Sequence, residues 1–209
     1  MAVTPMFPLG TVIFPTQSFD LRIFEPRYLK LVGDVMASDN CFGTCLIEKG
    51  SEVGGKDSRF SIGTLCEVKE VIELSKDNLF VTCIGIEKIT VQEWLPEKYY
   101  PKAVIRSSAI DSSKKRDCER IDKIVDEIGK CYSFISDLRD MNLPRPNSHE
   151  LAALTLYQLS DLAPLGQMNR YRLLESENLD NLEETLYSLL VDEREMLEGL
   201  LRLRNSDNN

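Results

Sequence analysis

The hydrophobic period of this chain changes once, and that change limits the folds open to it. Up to about residue 110 the apolar side chains alternate with polar ones, the period of half-buried strands; beyond it they recur at helical spacing. Phe19, Leu21 and Ile23 alternate with Ser18, Asp20 and Arg22. Glu25-Pro26 then opens a helix: proline at the first helical position gives up an N–H that has no intrahelical partner, and Glu25 suits the positive helix end. Tyr28, Leu29, Leu31, Val32, Val35 and Met36 continue at helical spacing.

Further strands are expected over 41–48, over Phe60–Leu74 as one or two segments with Leu65, Val68 and Val71 or Ile72 turned inward, and over Lys102–Ile110. Ser75-Lys76-Asp77-Asn78 reads as a turn. Leu79, Val81 and Cys83 alternate with Phe80, Thr82 and Ile84, all apolar or nearly so, which suggests cover on both faces; the strand runs on past Gly85 to Val91, with the glycine marking a bulge or bend. Strands at this density predict a curled sheet or barrel. After it, Ser112 or Ser113 caps a helix to about Met141, carrying the stripe Ile121, Ile124, Val125, Ile128, Tyr132, Ile135 and Leu138. A second helix is expected from Asn147 or Ser148 to Leu162, a third over Gln167–Glu175 and a fourth over Leu179–Arg204, with Asn205–Asn209 as a disordered tail. The last has an apolar face of Leu182, Leu186, Leu189, Leu190, Met196, Leu197 and Leu200. The expected organisation is therefore α+β: a β-domain over 1–110 and an α-helical bundle over 111–209.

At 209 residues the chain can bury a core without staples. No apolar run approaches the roughly 20 residues of a membrane span, and no basic–apolar leader is visible at the N-terminus, so the expected location is cytoplasmic. The six cysteines, Cys41, Cys45, Cys66, Cys83, Cys118 and Cys131, then read as reduced, small hydrophobes. Cys41-x-x-x-Cys45 lies along a strand with no histidine near, so no metal site is expected. The net charge of −9 is uneven: residues 1–110 carry 12 basic and 14 acidic side chains, residues 111–209 carry 13 and 20. This acidity opposes nucleic acid and anionic membranes at long range.

Two chemical motifs fail on inspection. Gly50-Ser51-Glu52-Val53-Gly54-Gly55-Lys56-Asp57 matches a phosphate loop up to its lysine, but Asp57 replaces the magnesium-binding hydroxyl and a strand, not a helix, follows. His149, the only histidine, opens a helix as a surface residue, and no Gly-x-Ser-x-Gly elbow is present. No catalytic residue and no cofactor are expected. The best binding candidate is the proline-punctuated loop with Trp94, Tyr99 and Tyr100, whose aromatics suit apolar contact with an extended polypeptide, with Phe14 and Phe24 as candidates for an adjoining groove. The competing reading is that these rings pad the junction between sheet and bundle. Glu25 and Arg27 read as structural, tying the helix start to the sheet.

The chain also resembles a family, the N-terminal substrate-binding domain of Lon proteases, strongly over roughly residues 5–110 and loosely over the helical remainder. The resemblance rests on Pro8-Leu9 with Phe14-Pro15, on the box Ile23-Phe24-Glu25-Pro26-Arg27-Tyr28, on Phe42-Gly43-Thr44 and the strand after it, on Glu52-Val53-Gly54-Gly55, and on Ile62-Gly63-Thr64. It departs at Arg22, where many members carry histidine, and at Gly85-Ile86-Glu87-Lys88-Ile89, where many carry Gly-x-x-Arg-Phe. The family implies a PUA-like pseudo-barrel followed by a helical bundle. It marks Pro8, Leu9, Phe24, Glu25, Pro26, Arg27, Tyr28, Gly43, Gly54 and Gly63 as structural motif positions. Lon ATPase and serine–lysine peptidase modules do not fit in this length, so the expectation is a stand-alone, non-enzymatic domain. It would bind unfolded or extended polypeptide, as an adaptor to a protease or chaperone component. Rival readings are an RNA- or nucleotide-binding PUA-like module and a small hydrolase with a pocket in the β-domain.

Overall fold

The computed structural model describes residues 2–49, 58–108, 118–141 and 148–207. The chain divides into two compact units, Met1–Ile110 and Asp111–Asn209.

The first unit contains β1 (Ala2–Leu9), β2 (Ser18–Ile23), α1 (Pro26–Met36), β3 (Cys41–Lys49), β4 (Ser58–Ser75), β5 (Asn78–Trp94) and β6 (Lys102–Ser108). The sheet order is β2-β5-β4-β3-β1-β6, and a further β5–β6 pairing closes β1, β3, β4, β5 and β6 into a barrel. The PUA-like pseudo-barrel expectation holds. Closure depends on strands that change partners. β5 pairs with β2 through Leu79–Ile84 and with β6 through Lys88–Trp94. β1 pairs antiparallel with β6 over Ala2–Pro5 and parallel with β3 over Met6–Leu9.

β1 is an additional strand, formed although Pro5 and Pro8 are residues a strand interior disfavours. Each half of β1 has only one partner in the sheet, so a missing N–H can face away from the ladder. The expected bend at Gly85 is a bulge: Leu65 pairs with Glu87 and Cys66 with Gly85, leaving Ile86 unopposed. The turn at 75–78 is present, with Asp77 in the left-handed region at φ 63°. β4 is one strand rather than two. Val68 is buried, Leu65 and Val71 pack against the cores, and Ile72 points to solvent. Val81 and Cys83 of β5 are buried, whereas Phe80, Thr82 and Ile84 on its other face are half-buried.

Among the described residues, two apolar clusters form the core of this unit. One, with Phe7, Ile23, Tyr28, Leu31, Val35, Phe42, Cys66 and Cys83, joins α1 to the sheet; Phe7 stacks on Tyr28 with ring centroids 3.9 Å apart. The other, with Met6, Cys45, Ile89, Val91, Ala103 and Ile105, lies on the opposite side of β1. Consecutive residues of β1 are therefore buried on both faces, as in a central strand. Gly63 is required by space, since a Cβ there would strike the Thr44 main-chain carbonyl, while a Cβ at Gly43 would press on the ends of the Met6 and Ile89 side chains.

The second unit contains α2 (Cys118–Arg139), α3 (Ser148–Ala152), α4 (Leu156–Leu162), α5 (Gln167–Glu175) and α6 (Leu179–Asp207). The start expected for α2 at Ser112 or Ser113 lies outside the described residues. α2 packs along α6, with Ile121, Ile124, Ile128 and Cys131 facing Leu182, Leu186, Leu190 and neighbours in the core. Glu127, nearly buried, meets Arg194 of α6 at 2.7 Å. Arg204 donates to the Asp137 and Leu138 carbonyls at 2.9 Å each, closing the end of α2.

Two expectations are corrected. The single helix from 147 or 148 to 162 is two, because Thr155 and Gln158 form a capping box that starts α4 afresh. The tail expected from Asn205 is helical through Asp207. On α6, Met196 and Leu200 are 51% and 47% exposed, so the buried face is narrower than the expected one.

Candidate functional site

The loop between β5 and β6 is fastened to α1 by three contacts of different chemistry. Tyr100 is buried and donates its hydroxyl to Asp34 Oδ2 at 2.8 Å. Tyr99, next to it, is 66% exposed, with the Lys30 ammonium 5.3 Å from its ring centroid. Glu97 meets Arg27 at 3.9 Å and Arg59 of β4 at 3.5 Å. Arg59 in turn lies 4.7 Å over the Trp94 ring, and Arg27 pairs with Glu25 at 3.1 Å. The chain Glu25–Arg27–Glu97–Arg59 thus ties the helix start to the sheet. Glu25 is the residue before the helix and Pro26 its first, so the motif sets where α1 begins and which way Arg27 reaches.

Of the five aromatic candidates, the structure places Tyr99 and Tyr100 on this loop against α1, and Trp94 at the end of β5 just before it, under Arg59 of β4. Phe24 precedes α1 and is 55% exposed. Phe14 belongs elsewhere: it is completely buried, and its N–H is taken by the Gln17 side chain at 2.8 Å. It is a core residue, not a groove lining. Tyr100 presents a wall rather than a free ring.

Sequence reasoning missed Asp34, Lys30 and Lys102. Lys102 lies 5.0 Å from the Tyr100 ring centroid. Asp34 was visible only as a polar position on an amphipathic helix, and nothing local pairs it with a tyrosine 66 residues away. It also missed a cleft of about 790 Å³, which runs beside Val3-Thr4-Pro5 of β1. Tyr100, Lys102, Asp34 and Val35 of α1 and Ala37-Ser38-Asp39 just after it line it, with Cys41, Leu65, Glu87, Ile105 and Arg106. The volume suits a small ligand or a short chain segment.

The electrostatics of the Tyr100–Asp34 pair hold both groups in one protonation state at neutral pH. The Tyr100 hydrogen bond, helped by Lys30, holds the Asp34 carboxyl below its ordinary range. Burial and the Asp34 carboxylate push Tyr100 up to about 12. At neutral pH the pair is a fixed carboxylate–phenol contact, with a weak base and a weak acid. Burial and the neighbouring Asp39 push the Cys41 thiol up as well. Among the described residues no group of three or more His, Cys, Asp or Glu is placed to hold a metal ion.

The segment 50–57 and the His149 side chain lie outside the described residues. The strands on either side of 50–57, β3 and β4, pair antiparallel, and β4 follows where a phosphate loop requires a helix.

A Lon protease of Brevibacillus choshinensis is 21% identical over 197 residues, which make up 93% of this chain and 25% of that protein. A Lon protease of Clostridioides difficile (strain 630) is 30% identical over 110 residues, 52% of this chain and 14% of that protein. The chain thus spans about a quarter or less of the length of these relatives. The crystal structure of a Lon N-terminal domain protein from Xanthomonas campestris superposes with a TM-score of 0.65 at 24% identity, over 89% of this chain and 98% of that one. The N-terminal domain of a Mycobacterium avium complex Lon protease gives 0.61 at 14% identity, over 93% and 98%. These two likenesses establish the fold. Residues 3–192, across both units, match the family model of the ATP-dependent protease La (Lon) substrate-binding domain, and the chain belongs to that family.

Proposed function

We propose that this chain is a non-enzymatic module that recognises unfolded or extended polypeptide and presents it, as a cytoplasmic adaptor, to a protease or chaperone component. Family membership supports substrate recognition as the class of function. The observation that carries the finer reading is the anchored aromatic rim. Tyr99 stands 66% exposed on a loop whose neighbours, Tyr100 and Glu97, are tied to α1. An exposed ring on a pre-ordered loop loses little freedom on binding, which suits contact with many different sequences. The cleft beside it carries Lys102 and Arg106 but also Asp34, Asp39 and Glu87, a mixture that does not favour phosphate backbones. The low-lying carboxylate and high-lying phenol likewise favour binding over hydrolysis.

The test is a titration of fluorescein-labelled casein, a permanently unfolded polypeptide, read by anisotropy, with a labelled RNA in parallel. Saturable casein binding, weakened about tenfold when Tyr99→Ala and Phe24→Ala are combined, supports the proposal. Binding of RNA and not of casein overturns it.

A further inference from the structure

We propose that the cleft beside β1 is the seat of a short extended segment of the bound polypeptide, which adds as a strand to the edge of Val3 and is selected for consecutive apolar side chains. This rests on the polypeptide-recognition reading and assigns it a place and a mode.

The cleft is a split in the sheet with an identifiable cause. β1 and β3 pair in parallel from Met6 opposite Gly43 onward. Continued backward, that register would set Thr4 beside Cys41, with the residue 5 N–H donating to β3. Residue 5 is proline, so the donor is missing and the ladder stops. β1 then follows β6, pairing Ala2–Pro5 with Ile105–Lys102. β3 turns away, and its Cys41 N–H is taken by the Asp39 side chain at 3.1 Å. The strands diverge, and the cleft opens between them.

Between these walls, β1 turns backbone toward the cleft at Val3. The Met6 N–H donates to Pro101 on the β6 side at 2.9 Å. In an antiparallel pair, groups alternate in direction from one residue to the next, so Thr4 addresses β6 and Val3 turns its N–H and C=O the other way. Among the described residues β1 pairs over this stretch with β6 alone. A donor and an acceptor on one extended residue match the backbone of another extended chain, the chemistry of strand addition.

The two sides of the split determine which side chains fit. One side has Leu65 and Ile105, which belong with the cluster around Met6 and Ile89; the other has Val35 and Tyr100, which belong with the cluster around α1. A strand lying here meets apolar surface with both its odd and its even side chains, as Met6 and Phe7 of β1 do further along. Strands covered on both faces are apolar at consecutive positions, whereas half-buried strands alternate. Folded proteins keep such runs inside, so the cleft is selective for chains that have lost their structure. Charges of both signs at the rim, Lys102 and Arg106 against Asp39 and Glu87, leave the choice to the apolar contacts.

The experiment uses the full chain and two fluorescein-labelled peptides of equal composition. In one, valines and leucines form an uninterrupted run between serine–lysine flanks; in the other they alternate with serine. The run peptide is expected to bind about tenfold more tightly, and to slow hydrogen exchange at the Val3 amide about tenfold by NMR. Val3→Pro removes the cleft-facing donor but no β6 ladder bond, and should abolish the preference, while Val3→Ile retains it. Equal binding of the two peptides, or an unprotected Val3 amide in the wild-type chain, overturns the proposal; the amide measurement decides even if Val3→Pro does not fold. Casein titrated alongside separates the levels. Casein binding with Val3 unprotected removes this site and leaves polypeptide recognition standing, whereas failure of casein and both peptides to bind removes both.

Discussion

The Tyr100 hydroxyl donates to Asp34 Oδ2 at 2.8 Å and joins the β5–β6 loop to the last turns of α1. Its effect on pH dependence has a definite sign. Asp34 is held below 3.8 in the folded chain, so its contribution is present above that pH and is lost as pH falls through the lowered value. Tyr100 is raised from 10.0 to about 12, so the unfolded chain releases this proton first and stability falls as pH rises across that interval. Tyr100→Phe should flatten both limbs of the stability profile measured by urea unfolding, and should move the Asp34 carboxyl resonance to titrate at higher pH. An unchanged Asp34 titration would refute the contact.

Glycines in the two units should respond oppositely to alanine. At Gly63 a Cβ meets the Thr44 main-chain carbonyl, which cannot rotate aside, so Gly63→Ala should cost about 3 kcal/mol or more by denaturant unfolding. Gly129 lies within α2 with nothing within 4 Å of an added Cβ. Gly129→Ala should stabilise by about 0.5–1 kcal/mol.

Thiol chemistry should rank by burial. Cys45, Cys66, Cys83 and Cys131 are at most 2% exposed, and Cys41 is half-buried. Burial pushes Cys83 up to about 12 and Cys131 up to about 11. Of these five, Cys41 should be alkylated first by iodoacetamide at pH 8, more slowly than a free thiol because its own ionisation is also disfavoured. The other four should react only on unfolding, as followed by peptide mass spectrometry. Rapid labelling of Cys66 in native protein would contradict the core.

Two aromatic residues proposed from sequence as one group should separate into stability and binding. Phe14→Ala empties a fully buried site and should cost about 3–5 kcal/mol. Tyr99→Ala changes an exposed ring and should stay within about 0.5 kcal/mol while weakening casein binding. Paired thermal melts and anisotropy titrations distinguish the two.

Local signals determined much of the architecture. The alternation of Ser18–Ile23 became β2, the Glu25-Pro26 step became the start of α1, Gln167–Glu175 became α5 at its expected bounds, and the bend at Gly85 became a bulge. These succeed because period, proline geometry and glycine space act over a few residues. The capping box Thr155-x-x-Gln158 is equally local, and it divides what the apolar spacing alone presents as one continuous helix.

What required tertiary structure is whatever depends on partners distant in sequence. β1 is a strand despite two prolines because β3 and β6 each take half of it, and the same Pro5 that ends one ladder opens the cleft. Phe14 and Tyr99 look alike as aromatic residues near prolines; one is enclosed and the other left outside because barrel closure decides which side of the chain meets the core. Residue type and spacing prescribe which elements can form. Only the closed sheet decides which backbone groups are left unpaired and which side chains surround them, because hydrogen-bond pairing and burial are properties of the assembled strands and not of any one of them.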